Sequence, residues 1–282
     1  MKRWNIWALW ALLLLLPACG RGTGEKGAEA SGDLFTTVVT YTGEDEDARY
    51  LEVSRQSQKL VALLEEKAGA FVMDAYNFQE IGEGEPLYTC NDLLGYPFEI
   101  APNGNSIRVS KNYFRYNPIE TADGSDPTES LVYDDLTLNL LVPEAYREME
   151  DQILKAYRDI FYFEKVTAAN DIAGLAGDPE RVELGIEDLV IHIIYVKDGQ
   201  KYFTYRADCA PDTGNYITDP VVQIYTGNVH CNYAHSFLTQ WFYLPVEGSV
   251  EEAYETIRPC IEECGMEESV KRVEVVECLP EA

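Results

Sequence analysis

Basic residues are scarce in this chain. Lys and Arg together number 22 against 49 Asp and Glu, a formal net charge of −27 over 282 residues. A surface this acidic repels phosphate and lacks a basic footprint, which argues against nucleic acid as a partner. Histidine is scarcer still, at three residues, and close C-x2-C pairs are missing, so no metal site is expected. The signatures of catalysis are missing too. There is no G-x-S-x-G elbow, no H-E-x-x-H, no phosphate-cradling glycine loop and no S-x-x-K. Nothing points to a cofactor, and the chain reads as a non-enzyme. Trp4, Trp7 and Trp10 crowd the first ten residues and leave only Trp241 for the body, which weakens an aromatic sugar platform. What is present, 46% hydrophobic and 25% charged residues, excludes a collagen-like or globally disordered chain and is enough for a packed core.

One long apolar run exists, and it is short for a membrane span. Ile6 to Leu16 is eleven residues behind the basic Lys2 and Arg3. As a helix it reaches about 16 Å, half of a bilayer core of roughly 30 Å. It therefore reads as the apolar region of a signal peptide covering residues 1–18. Leu16-Pro17-Ala18-Cys19 resembles a bacterial lipobox, which implies cleavage before Cys19 and a thioether-linked diacylglycerol on its sulfur. Cleavage removes Lys2 and Arg3, two positive charges, and moves the formal net charge from −27 to −29. Residues 19–33 are a glycine-rich tether. Gly20 to Asp33 contains five glycines and almost nothing apolar, with an r.m.s. reach of about 20 Å. The expected address is the extracytoplasmic face of the cell membrane, held by lipid.

Seven cysteines become six once Cys19 is assigned to lipid: Cys90, Cys209, Cys231, Cys260, Cys264 and Cys278. An even remainder in an exported chain suggests up to three disulfides, of undetermined connectivity. Cys260 and Cys264 share one helix face, and each seeks a partner elsewhere, for which Cys278 is a candidate. His230, Cys231 and His235 form the one local His/Cys group, and a structural role is the expectation there.

The body, residues 34–278, alternates strand and helix signals, and it allows one domain or two subdomains. Strands are expected at Leu34–Tyr41, Phe71–Tyr76, Pro97–Ala101, Ile107–Ser110, Leu136–Val142, Pro220–Thr226, Ser236–Leu244 and Val270–Val276. Helices are expected at Ala48–Ala68, stopped by Gly69, and through Tyr146, Met149, Ile153, Tyr157 and Ile160. A last helix has Ser249 and Glu252 as its capping box and Gly265 at its end. Leu189–Val196, an Asp198-Gly199 turn and Lys201–Arg206 read as a hairpin whose first strand is central, with His192 a satisfied core histidine. The acids of Asp123-Gly124-Ser125-Asp126-Pro127 do not have calcium-loop spacing and read as a polar loop. The expected class is α+β, a mainly antiparallel or mixed β-sheet with about three packed helices.

Four segments in order carry a family likeness: Asn112–Ile119 (NYFRYNPI), Leu140–Ile153 (LLVPEAYREMEDQI), Tyr195–Tyr205 (YVKDGQKYFTY) and Asp219–Asn228 (DPVVQIYTGN). Together they resemble the extracytoplasmic domain of bacteriocin-associated integral membrane proteins, which are permease-like proteins of FtsX/MacB-type architecture. The likeness spans residues 112–228 and implies a structural role for these motifs, with no catalytic residues. It departs from the family in putting a lipid anchor where the transmembrane helices would be.

Three functions follow as expectations. The first is a lipid-anchored interaction module at the membrane, accessory to an ABC-type permease or a bacteriocin or peptide export-immunity system, with a cationic peptide as a fitting partner for so acidic a surface. The second is a surface hydrolase of cell-wall or glycan material, which needs two carboxylates converging in a cleft. The third, a solute-binding lipoprotein, needs two lobes that this length barely supplies.

Overall fold

The computed structural model describes residues 34–40, 47–81, 85–87 and 95–280. The leader, Cys19, the tether and Cys90 lie outside the described residues. The chain forms strands β1 (Phe35–Val39), β2 (Phe71–Asp74), β3 (Ser106–Ser110), β4 (Thr137–Pro143), β5 (Val190–Val196), β6 (Lys201–Phe203), β7 (Tyr216–Thr218), β8 (Val221–Tyr225), β9 (Phe242–Leu244) and β10 (Val270–Val275). Its helices are α1 (Asp47–Lys67), α2 (Glu150–Tyr162), α3 (Ala168–Leu175), α4 (Cys231–Gln240) and α5 (Val250–Glu263). One eight-stranded mixed sheet runs in the order β10-β1-β9-β2-β3-β8-β4-β5, and β6 and β7 pair separately. The α+β class with a mixed sheet and packed helices is therefore the architecture observed. No helix among the described residues is long and apolar enough to cross a membrane.

Register sorts the sheet's side chains into two faces, because residues opposite one another across a ladder point the same way. Asp74, Arg108, Gln223, Leu140 and Ile193 form one row across β2, β3, β8, β4 and β5. Met73, Val109, Ile224, Asn139 and His192 form the row on the opposite face.

The long helices cover the first face. Between α2 and α3 the backbone widens into a π-turn, Phe163–Thr167, which brings the consecutive Glu164 and Lys165 both into the interior. Arg108 Nη2 donates to both carboxylate oxygens of Glu164 at 2.7 Å and to Gln223 Oε1 at 2.7 Å. Its guanidinium also lies 5.5 Å from the ring centroid of Tyr233 on α4. One buried cation thus fastens two helices to two central strands.

The opposite face is aromatic. Phe71 meets Tyr243 at 5.3 Å, Tyr205 at 5.3 Å and Tyr113 at 5.9 Å between ring centroids. Tyr113 Oη donates to Phe203 O and Tyr243 Oη to Thr204 O, so the same rings hold the β6–β7 ribbon against the sheet. Geometry of this kind satisfies the phenol oxygens while burying the rings.

Several expectations from the sequence hold, and others are corrected. The α1 span, the capping box of Ser249 and Glu252, and the stop at Gly265 with φ +67° all stand. The Leu189–Arg206 hairpin does not form. Asp198-Gly199 does turn, with Gly199 at φ +79°, but β5 pairs in parallel with β4 while β6 pairs with β7. Asp219 takes the Gly199 and Gln200 amides onto its carboxylate, which directs the chain away from β5 after the turn. Nor is β5 central: it is the sheet's edge, and His192 is half-buried with Nε2 3.0 Å from Ser130 O. Pro97–Ala101 is a turn, its Phe98 and Ala101 carbonyls accepting from Asn105 and Gly104. Residues 236–240 belong to α4, and only Phe242–Leu244 of the expected Ser236–Leu244 strand is extended. The loop at Asp123 is closed on itself, its Oδ1 accepting from Thr121 Oγ1, Ser125 N and Ser125 Oγ.

Removing one partner of a buried ion pair leaves the other charge uncompensated, whereas replacing both with apolar groups costs little. Glu164→Gln should therefore lower unfolding stability by about 3–5 kcal/mol in urea titration. The double change Arg108→Met with Glu164→Leu should cost less than Glu164→Gln alone. A double variant less stable than the single one would contradict the role given to this pair.

Candidate functional site

Cysteine sites come first, since the sequence singled them out. Cys209, Cys231, Cys260, Cys264 and Cys278 stand as free thiols in the structure. The reason is plain for Cys278. Cys260 and Cys264 sit at the end of α5, next to the start of β10, while Cys278 follows the far end of that strand. A strand of this length separates them by about 20 Å, well beyond the roughly 6 Å that a disulfide spans between Cα atoms. Cys278 Sγ instead contacts Asn215 Oδ1 at 3.5 Å. Burial pushes the Cys231 thiol up to about 11, which makes it inert as a nucleophile at neutral pH.

The His/Cys group separates as well. His230 Nε2 is 3.6 Å from Cys231 Sγ, but His235 Nδ1 turns to Ser57 Oγ at 3.1 Å. Burial lowers the pKa of both histidines. No group of three metal-ligating side chains occurs among the described residues.

A polar recess at the carboxyl ends of the parallel strands β3 and β8 was not legible in the sequence. After Tyr225 the chain leaves β8 through Thr226, Gly227 (φ +85°) and Asn228 before His230 caps α4. Opposite, Tyr133-Asp134-Asp135 leads into β4, and these six residues line a cavity of about 170 Å³. Its base is held from below by the π-turn. Lys165 Nζ donates to Asn228 O at 2.9 Å and pairs with Asp135 Oδ2 at 2.8 Å. Asp134 shapes the rim, accepting from Leu136 N and Thr137 Oγ1 at 2.8 Å each.

Two wall residues are incompletely satisfied. Asn228 is only 2% exposed, and its Nδ2 donates to Thr137 O at 2.7 Å. That bond fixes which limb of the amide is nitrogen and leaves Oδ1 as the acceptor, without a partner. The Thr226 hydroxyl is likewise buried and unpartnered. An unmade hydrogen bond on a buried polar atom is costly, and native structures rarely retain one without a use.

Glu65 on α1 adjoins this end of the sheet. Burial first, and the Glu65 charge after it, raises the phenol pKa values of Tyr133 and Tyr225, and Lys111 acts on Glu65 in return. Burial pushes its carboxyl up to about 7, against the lowering effect of a hydrogen bond from Ser110 and the charge of Lys111. Lys111 Nζ also lies 5.7 Å from the Tyr133 ring centroid. A second raised carboxyl, Asp74 at about 6, is buried beside Arg108 and belongs to the ion-pair cluster.

Comparisons with known proteins add no homologue. No family model matches the chain, and neither a curated protein nor a solved structure is significantly similar to it.

Glu65 gives a pH test. Its ordinary value is 4.5, and the folded chain holds the proton up to about 7. Between those values the folded state binds more protons than the unfolded one, so stability falls as pH rises through that window. Glu65→Gln should flatten the profile and gain up to about 3 kcal/mol at pH 8, read by urea unfolding at pH 5 and pH 8. Parallel profiles for the two proteins would refute the burial assigned to this carboxyl.

Proposed function

We propose that this protein is a lipid-anchored extracytoplasmic interaction module, accessory to an ABC-type permease or a peptide export-immunity system. The observation that carries the reading is the size and chemistry of the recess. At about 170 Å³ it falls well below the roughly 300–1,000 Å³ of pockets that enclose whole small molecules. It suits one side chain presented by a larger partner. The lipobox at Leu16 to Cys19 supports the anchor, and the tether gives the body its reach from the membrane. The four segments that resemble the bacteriocin-associated family also gather on one half of the sheet. They follow β3, join β4 to α2, link β5 to β6, and run along β8 into the recess.

In-cell crosslinking of the acylated protein, followed by purification and mass spectrometry, tests the module. The expected result is specific recovery of a permease subunit, lost when Cys19→Ala releases the anchor. Reproducible recovery of no membrane protein would overturn it.

One observation favours a second reading, the surface hydrolase. The Glu65 carboxyl, protonated up to about 7, has the character of a general acid and stands near a rim bearing Asp134 and Asp135. Under that reading, release of soluble fragments from cell-wall glycan would be abolished by Glu65→Gln. Absence of any release by the wild-type protein would remove it.

A further inference from the structure

Lys165 is the one buried lysine among the described residues, carried inward by the π-turn and only 8% exposed. Its counter-charge is Asp135, 2.8 Å away, whose side chain is 73% exposed. Arg108, by contrast, faces a carboxylate as buried as itself. An ammonium taken out of water without a counter-ion of equal burial is costly to keep charged. Lys165 Nζ also donates to the main-chain oxygen of Asn228 at 2.9 Å. Asn228 is buried in turn, its Nδ2 held by Thr137 O at 2.7 Å and its Oδ1 without a partner. A buried amine, a buried carboxamide and a carboxylate thus meet at the base of the recess.

We propose that Lys165 and Asn228 become joined by an isopeptide bond between Nζ and Cγ, with release of ammonia. Asp135 first takes a proton from the Lys165 ammonium across their contact. The neutral amine attacks Asn228 Cγ, the new C–N bond forms, and the bond from Cγ to Nδ2 breaks. Asp135 returns its proton to the departing nitrogen, and the second proton shed by Nζ leaves with it as ammonium. A lysine ammonium and a neutral carboxamide become a secondary amide and free ammonium. No oxidant, reductant or cofactor enters the balance.

Several contacts favour this pair. The oxygen that Nζ touches and the carbon that it attacks belong to one residue, and the flexible lysine stem turns between them. Thr137 O grips the nitrogen that departs and so fixes the plane of the amide. Ammonia has an exit through the recess, whose wall includes Asn228. The product removes a buried positive charge and leaves Asp135 where water already solvates it. It also ties the π-turn to the loop after β8, constraining the unfolded chain between residues 165 and 228 as a disulfide would. The bond is independent of the interaction-module reading.

Tryptic mapping of the purified full chain by mass spectrometry tests it. The expected result is a branched peptide joining Lys165 to Asn228, lighter than its two arms by one ammonia, with no cleavage after Lys165. Lys165→Arg keeps the charge and the donors but lacks the nucleophilic amine, so it should yield linear peptides only. Asp135→Ala changes a side chain that lies largely in water, so the fold should stand while linkage slows roughly a hundredfold.

Linear peptides alone from a wild-type chain with a folded circular dichroism spectrum would overturn the bond, and that result does not depend on either variant folding. An ammonia deficit mapping to Asn103-Gly104 would overturn it as well, because ring closure at an Asn-Gly pair loses the same mass. Linkage at the wild-type rate in Asp135→Ala would overturn the proton transfer written here.

Discussion

Glu164 sits where an α-helix would have turned it or its neighbour outward, and Arg108 sits buried in the middle of the sheet. Each is tolerable only because of the other. A guanidinium removed from water requires a carboxylate at close range and further acceptors, and Glu164 and Gln223 converge on Nη2. The π-turn is the backbone's response to that requirement, widening by one residue so that Glu164 and Lys165 face inward together. Because β3 and β8 run in parallel with Arg108 opposite Gln223, the pair also fixes how the helical layer registers on the sheet.

The consequence reaches the recess. Lys165, carried inward by the same turn, supports the Asn228 carbonyl and holds Asp135 at the rim. The structural ion pair and the support of the recess thus come from consecutive residues of one segment, Glu164 and Lys165.

Aromatic packing handles the opposite face by a different means. Phe71, Tyr113, Tyr205 and Tyr243 form a buried ring cluster, and two of their hydroxyls donate to the backbone carbonyls of Phe203, which ends β6, and Thr204, which follows it. This clamps a two-stranded ribbon that would be marginal alone. Sorting charge to one face and aromatics to the other leaves the excess carboxylates on the surface, where they remain solvated.

Local patterns in the sequence determined the features that depend on near neighbours. The apolar spacing of Leu51, Leu60 and Leu64 set α1, Ser249 and Glu252 started α5, Gly265 ended it, and composition alone set the acidic character. Tertiary structure decided the rest. Period-two alternation marks which side of a strand is buried but not which strand lies beside it, so β5 was legible while its parallel pairing with β4 was not. Residues 236–240 carry β-branched and aromatic side chains that read as strand, yet a capped helix start at His230 and packing of α4 against α1 and β1 made them helical. The recess draws Thr226 and Asn228 from one loop, Tyr133 and Asp135 from another and Lys165 from a helix. Which buried oxygens lack a donor is a property of all those neighbours at once, and no single segment of the chain encodes it.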